Sequence, residues 1–447
     1  MADRLRLLTT HDFFGSFAPV PTSFGTLPGG EGLRSRARAL RKGGPTLWID
    51  TGDLTQGGPL TPLTSGEGGF AAAAELGMDV TVVGNHELDF GTDFLLRNAP
   101  ALKCPLLGGN AGIDLPATAL LSTAIGPIGV IGLTHDALAS MSAWSLTPDR
   151  VMPIRPDPAV DVAALAADLR RDGARAVVLA LHDGVDWQIA PGRGYRPEPA
   201  RLFDKLRAWA RSVDVIAAGH TLGRFFGAIE GTPVLQPWPL GAEFGCIDLT
   251  FGGSQPAFGA PHGIGIEPAG PWTGHGAERI DAAADDVLGR LAAPLVALSG
   301  GPAPLACFIA SAIRRLAGAE VAIAYVTYAQ PPVDGVFAAL PEGAVTRLQL
   351  LEIVPYSDHR IVAAEIAAET ASRMPLLREP LPQKRSTAWR RDGTVPSSGR
   401  VTIATTAGAA AAVIECQAGE RLAWHDTGTR LDRAVRHLLS HTAQASR

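Results

Sequence analysis

Over its first 250 residues the chain repeats one pattern: a short aliphatic or β-branched run, a turn rich in Gly, Asp, Asn and His, then a stretch whose apolar positions recur at three- and four-residue spacing. The clearest runs are Leu5–Leu8, Thr46–Ile49, Val80–Val83, Ile128–Leu133, Ala176–Leu181 and Val213–Ala217. Between them, Glu31–Arg41, Gly68–Leu76, Val160–Arg171 and Pro199–Arg211 read as amphipathic helices that cover sheets with one face. This alternation predicts an α/β fold, and nearly every run ends in a polar cluster, where ligand-binding residues collect in such folds.

The pattern breaks around Phe251–Trp272, where Gly and Pro dominate, which marks a boundary and predicts a second, smaller domain. The division expected is a first domain over 1–252, a linker and connecting helix over 253–298, and a carboxy-terminal domain over 299–447. In the latter part the spacing predicts helices over Ala277–Leu298, Cys307–Leu316 and Arg430–Ala443, strands over Val321–Val326 and Ile361–Ile366, and a loop over Arg378–Arg400. No internal repeat is visible.

Composition narrows the function. With 46% hydrophobic and 19% charged residues over 447 positions, the chain can bury two or three cores. A net charge of −5 carries no basic excess, so no nucleic acid polymer is expected as partner. Four widely spaced cysteines without a CxxC suggest neither a disulfide framework nor a thiolate zinc site, and fit a reduced compartment. The first ten residues enter a strand pattern without an apolar leader, and the longest apolar tract, Ala119–Leu133, is broken by Gly126-Pro127. A cytoplasmic protein without membrane partners is therefore expected.

Five strand ends carry metal-ligand residue types: Asp12 in His11-Asp12-Phe13-Phe14, Asp53 in Asp50-Thr51-Gly52-Asp53, Asn85-His86-Glu87 before Asp89, His182 before Asp183-Gly184, and His220 after Gly219. Each alone is an ordinary cap or turn former. Their joint order resembles the calcineurin-like metallophosphoesterases, and within them the 5'-nucleotidase family, over most of the first 250 residues. The resemblance is weaker beyond, where Val354-Pro355-Tyr356-Ser357 and Asp426-Thr427-Gly428 look like the family's carboxy-terminal domain. It implies a four-layer metallophosphoesterase β-sandwich flanked by helices, followed by a smaller α/β domain of 5'-nucleotidase type. It also implies divalent ions (Mn, Fe, Zn, Co or Mg) that activate water and neutralise phosphoryl oxygens. By this resemblance Asp53, Asn85, His182 and His220 furnish one metal position, with Asp12 belonging to the other, and His86 oriented by Asp89 is the catalytic imidazole. Asn85, His86 and Arg224 are candidates to meet the substrate.

Two departures modify that expectation. The family's first motif is Asp-x-His, and position 14 here is Phe; its last motif places His or Gln two residues after the first His, and position 222 here is Leu. One ion is therefore expected rather than two, with Phe14 and Leu222 filling the vacated space by apolar packing. Alternation at the strand end points His11 away from Asp12, towards a capping or surface role. In the second domain, Ala324–Pro331 lacks the family's Gly pair and Arg, and Thr406–Ala411 lacks its base-clamp segment. Tyr325, Tyr328, Tyr356, Trp389 and Trp424 are the remaining aromatic candidates for stacking, with Tyr325 and Tyr356 assigned to core. The sequence thus favours a metal-dependent hydrolase of a small, nucleotide-like phosphomonoester. A catalytically silent relative serving as a binding or assembly module is the alternative, together with an enzyme of altered metal chemistry.

Overall fold

The computed structural model describes residues 3–22, 25–136, 160–190, 194–253, 256–298, 303–327, 336–354, 359–374, 387–408, 411, 414–415 and 418–445. They form two compact units: the first holds the residues up to His275 apart from Gly57–Gly66, and the second holds Gly57–Gly66 with those from Gly276 onward.

The first unit is built on two sheets. In one, Asp3–Thr10 lies between Thr46–Asp50, which runs parallel to it, and the antiparallel Glu243–Phe251. The other has six strands in the order Phe225–Ile229, Thr232–Gln236, Val215–Ala218, Ala176–His182, Ile128–Thr134, Thr118–Leu121, parallel through its centre and antiparallel at both edges. The period-2 alternation of each strand sorts its side chains. Leu5, Leu7, Leu47, Ile49, Ile247 and Leu249 meet Ile128, Val130, Val178, Ala180, Val215 and Leu235 in one buried cluster between the sheets. The intervening positions Ile131, Leu133, Val177, Leu179, Leu181 and Ile216 face outward under helices Val162–Arg171 and Ala200–Leu206, where they join Ala166, Leu169, Leu202 and Leu206. Buried on both faces, the central strands read as continuous apolar runs. Helix Gly29–Lys42 buries Leu33 and Ala37. This is the four-layer arrangement expected.

The second unit has a five-stranded sheet in the order Thr387–Gly393, Val321–Thr327, Arg400–Thr406, Arg360–Ala367, His425–Arg430, with helices Pro304–Ala317 and Leu431–Ala445. Its core joins Val321, Ile323, Ala364, Ile366, Val401 and Ile403. Helix Arg347–Ile353 starts at a capping box in which Thr346 accepts from Gln349 N and the Gln349 side chain accepts from Thr346 N.

Three expectations are corrected. The helix over Ala277–Leu298 stops at Asp285: Asp286 leaves helical dihedrals (φ −77°, ψ 89°), and β-branched Val287, Gly289 and Pro294 lie ahead, so Val287–Leu291 and Leu295–Leu298 form strands. Part of the loop expected over Arg378–Arg400 is the strand Thr387–Gly393, paired along its length with Val321–Thr327; an edge strand tolerates such polar text. In the expected linker, Ala257–Phe258 and His262–Gly265 pair with Glu243–Phe251 in the first unit. Cys104 and Cys246 are free thiols, and Cys416 lies outside the described residues. Among the described residues no helix is long and apolar enough to cross a membrane.

Trp48, fully buried on Thr46–Asp50, packs edge-on against Phe244 at 5.1 Å, and its indole N–H donates to Thr10 Oγ1 at 2.8 Å. Trp48→Ala is expected to cost about 3–5 kcal/mol. The urea midpoint should fall accordingly with an unchanged slope.

Candidate metal centre

The register of the sheets brings the polar clusters together. Thr10 lies beside Asp50, Thr134 beside His182, and Leu181 beside Ala218, so the loops that follow leave from matching levels. These loops turn sharply: Asp12, Phe14, Asp53, His220 and Leu222 all hold positive φ, between 49° and 71°. Non-glycine residues in that region cost about 1–3 kcal/mol each and persist where the surroundings over-determine them.

At the centre, ligand atoms of Asp53, His182 and His220 lie within 4.8 Å of one another. His182 Nδ1 donates to Thr51 O at 2.7 Å, which turns Nε2 inward, 3.4 Å from Asp53 Oδ2, 3.2 Å from Asn85 Oδ1 and 3.2 Å from His220 Nδ1. His86 Nδ1 faces the Asp89 carboxylate at 3.1 Å, and Nε2 lies 4.0 Å from Asp53 Oδ2. The charges are strongly coupled. Burial would raise the Asp53 carboxyl, but His182 and His86 outweigh it and hold it below its ordinary range. Burial likewise opposes charging His182, yet Asp53 lifts it to about 10, while burial and the neighbouring His182 push His220 well down.

The positions of Asp53 and His86 are fixed by Glu87. Its buried carboxylate accepts from Asp53 N (2.9 Å), Leu54 N (2.9 Å), Thr55 N (3.0 Å), Thr55 Oγ1 (3.1 Å) and Gly84 N (2.9 Å), tying together loops that leave two different strands. Asp53 Oδ1 in turn accepts from His86 N at 2.8 Å. Only glycine fits at 84, because a Cβ there would stand 2.2 Å from Asp53 Oδ1 and 2.8 Å from His182 Cε1. Asp50 anchors the same turn through Gly52 N, Thr10 Oγ1 and Thr81 Oγ1, and burial pushes its carboxyl up to about 7 against those donors.

Asp12 is drawn beside this cluster. Its Oδ2 accepts from His220 N and meets His11 Nδ1, both at 2.6 Å, while the buried Oδ1 has no hydrogen-bond partner among the described residues. The expectation for His11 is corrected: it is buried, turned onto Asp12 and Pro237 O, because the left-handed turn at Asp12 breaks strand alternation. Phe14 is buried edge-on against His86, centroids 5.5 Å apart, whereas Leu222 is only half-buried, so the expected apolar filling holds for Phe14 alone. Arg224 is engaged by Glu243, with Nε 2.8 Å from Oε2 and an Nη 2.9 Å from Oε1, and lies over Phe226. Of the aromatic candidates, Trp424 donates its indole N–H to Glu415 and packs on the second core. The side chains of Tyr325, Tyr328, Tyr356 and Trp389 lie outside the described residues.

Two residues escaped the sequence reading. Glu87 belongs to the Asn85-His86-Glu87 motif, but backbone amides as partners leave no signature in sequence. His135, one residue beyond the strand Ile128–Thr134, stacks against His220 at 5.0 Å, with Nε2 3.8 Å from Asp183 Oδ1. Asp183 is buried, which would raise its carboxyl, but Arg201, His135 and Lys205 outweigh that and hold it below its ordinary range. The strand-end pattern Thr134-His135-Asp136 was the available clue.

Glu87→Ala should cost at least about 3 kcal/mol, since each buried donor left stranded costs about 1–3 kcal/mol. Glu87→Gln, which keeps an acceptor, should cost clearly less; urea unfolding of the two variants checks the ordering.

Residues 29–224 match the model of the calcineurin-like phosphoesterase family. Among curated proteins, the chain is similar to the endonuclease YhcR of Bacillus subtilis, 25% identical over 276 residues, which are 55% of this chain and 22% of that protein. It is also similar to the 5'-nucleotidase of Vibrio vulnificus, 32% identical over 75 residues, 17% of this chain and 14% of that protein. The matches thus span about a fifth or less of these relatives' lengths. Among solved structures, a 5'-nucleotidase precursor from Thermus thermophilus superposes with a TM-score of 0.69 at 17% identity, covering 98% of this chain and 97% of that one. Residues 29–224 are therefore similar to the calcineurin-like phosphoesterases, and the chain that carries them has a fold like that of the 5'-nucleotidase precursor.

Proposed function

We propose that the chain is a metal-dependent phosphoester hydrolase acting on a small, nucleotide-like phosphomonoester, with one divalent ion held by Asp53, Asn85, His182 and His220. The observation that carries this reading is the convergence of their oxygen and nitrogen donors beside the buried, unpartnered Asp12 Oδ1. A polar cluster of this kind is costly to bury unless a cation completes it. The mixed donor set suits Mn, Fe, Zn or Co better than Mg. The similar stretches also lie in proteins named as an endonuclease and a 5'-nucleotidase, whose names share the phosphoester bond.

A divalent ion bound here supplies Lewis acidity, activating water near neutral pH and offsetting phosphoryl charge. The chain's own residues do the rest. Asp89 fixes His86 through Nδ1, so the ring is oriented to protonate the leaving oxygen or bind a phosphoryl oxygen. Asn85 directs Oδ1 towards His182 Nε2, which leaves its amide N–H groups for the substrate. Arg224, held by Glu243, is withdrawn from the substrate role assigned to it from sequence. Phe14 packs against His86 and removes a polar contact on that flank.

Asp53 holds a proton on His182, and a bound ion would displace it. Metal binding at pH 7 should therefore release protons, and affinity should rise with pH. The catalytically silent module remains the competing reading, with Phe14 as the observation in its favour. Purified protein loaded with metal should contain one ion per chain by elemental mass spectrometry, lose it in His220→Ala and Asn85→Ala, and hydrolyse phosphomonoesters only when loaded. Two ions would sink the one-ion stoichiometry. No ion, or no hydrolysis with Mn²⁺, Mg²⁺, Zn²⁺, Fe²⁺ or Co²⁺, would leave the silent module.

A further inference from the structure

Beside the His220 loop, three aromatic side chains meet. The hairpin formed by Asp186–Ala190 and Gly194–Glu198 carries Trp187 and Tyr195, whose rings are 5.8 Å apart, and Tyr195 packs edge-on against Trp238 at 5.0 Å. The Trp187 indole N–H donates to Thr221 O. The Tyr195 hydroxyl accepts from Arg224 N at 2.7 Å and donates to Arg224 O at 2.8 Å. Both rings lie against Gly223, where a Cβ would stand 2.5 Å from Trp187 Cδ1 and 2.6 Å from Tyr195 Oη. Trp238 follows Pro237, whose carbonyl meets His11, and precedes Leu240, whose N–H donates to Asp12 O at 3.1 Å. The trio therefore adjoins both the loop that presents His220 and the loop that presents Asp12.

The polar tips of Trp187 and Tyr195 are consumed by loop backbone, so what these two residues can offer a ligand is ring surface. Trp187, Tyr195, Trp238 and Leu222 are each only half-buried. Leu222 sits within the loop that Trp187 and Tyr195 pin, adding an aliphatic side chain. Rings fixed in advance by hydrogen bonds lose little freedom when they stack. We propose that Trp187, Tyr195, Trp238 and Leu222 form a recognition wall for an aromatic or otherwise planar group borne by the substrate's organic part. This assigns to the first unit a contact with the leaving group, and it rests on the phosphoester reading above.

The test compares phenylphosphonate, methylphosphonate and inorganic phosphate as non-hydrolysed probes of the metal-loaded full chain, by calorimetry and by quenching of tryptophan fluorescence. Phenylphosphonate should bind about ten-fold more tightly than methylphosphonate and quench the emission. Trp238→Leu should narrow that difference at least about five-fold, with thermal unfolding run in parallel to monitor folding. If phosphate and methylphosphonate bind but phenylphosphonate binds no better, the wall is only a brace for the His220 loop and this proposal falls alone. If no phosphorus ligand binds to the loaded chain, the hydrolase reading falls and takes the wall with it. The comparison on the unmodified protein decides the matter even where the variant does not fold.

Discussion

The candidate centre depends on how Glu87 is satisfied. Its carboxylate accepts hydrogen bonds from the Asp53–Thr55 turn and from Gly84, which leave different strands, and so holds two loops in one relation. Asp53 then fixes His86 through its backbone N–H, and His182 is set by Thr51 O within the first of these loops. Each position follows from the one before it. Glu87 also adds a second buried acidic group beside Asp53, and burial together with Asp53 pushes its own carboxyl up. Burial opposes the charged form of His182, but Asp53, with Asp12 close by, outweighs it and drives the ring towards that form. Glu87 thus shapes the loops, while Asp53, which it holds in place, supplies the charge that favours a cation.

Most of the fold was legible because the core strands have two buried faces and read as apolar runs, and because their helices keep a clear apolar stripe. What escaped the sequence depends on partners distant in the chain. His135 comes to His220 only through the sheet order that sets Ile128–Thr134 beside Ala176–His182, and no local pattern encodes that order. The strand Thr387–Gly393 exists because Val321–Thr327 offers it a complete ladder, although its composition reads as loop. His11 was misplaced by a sound rule applied one residue too far: alternation holds up to Thr10 and fails where Asp12 turns left-handed. The site residues themselves were visible as residue types at strand ends, whereas Glu87, acting mainly on backbone amides, was visible only as a letter in a motif.

Phe14 and Leu222 stand on backbone that other residues hold. Both hold left-handed φ, which suits neither side chain. The strain is imposed by neighbours: Asp12 N, Phe14 N and Gly15 N donate in turn to Gly52 O, Asp53 O and Leu54 O, so the first loop is laddered to the second whatever stands at position 14. On the other side, Trp187, Tyr195 and Gln236 bond to the backbone at Thr221, Gly223 and Arg224 on either side of Leu222. The path of each loop is thus set by groups other than the residue that bears the strain. An apolar side chain at 14 or 222 alters one flank, while Asp53, Asn85, His182 and His220 are brought together by contacts made elsewhere. The donors of the candidate centre are therefore placed by contacts that need no polar side chain at 14 or 222, only the backbone that those residues share with their neighbours.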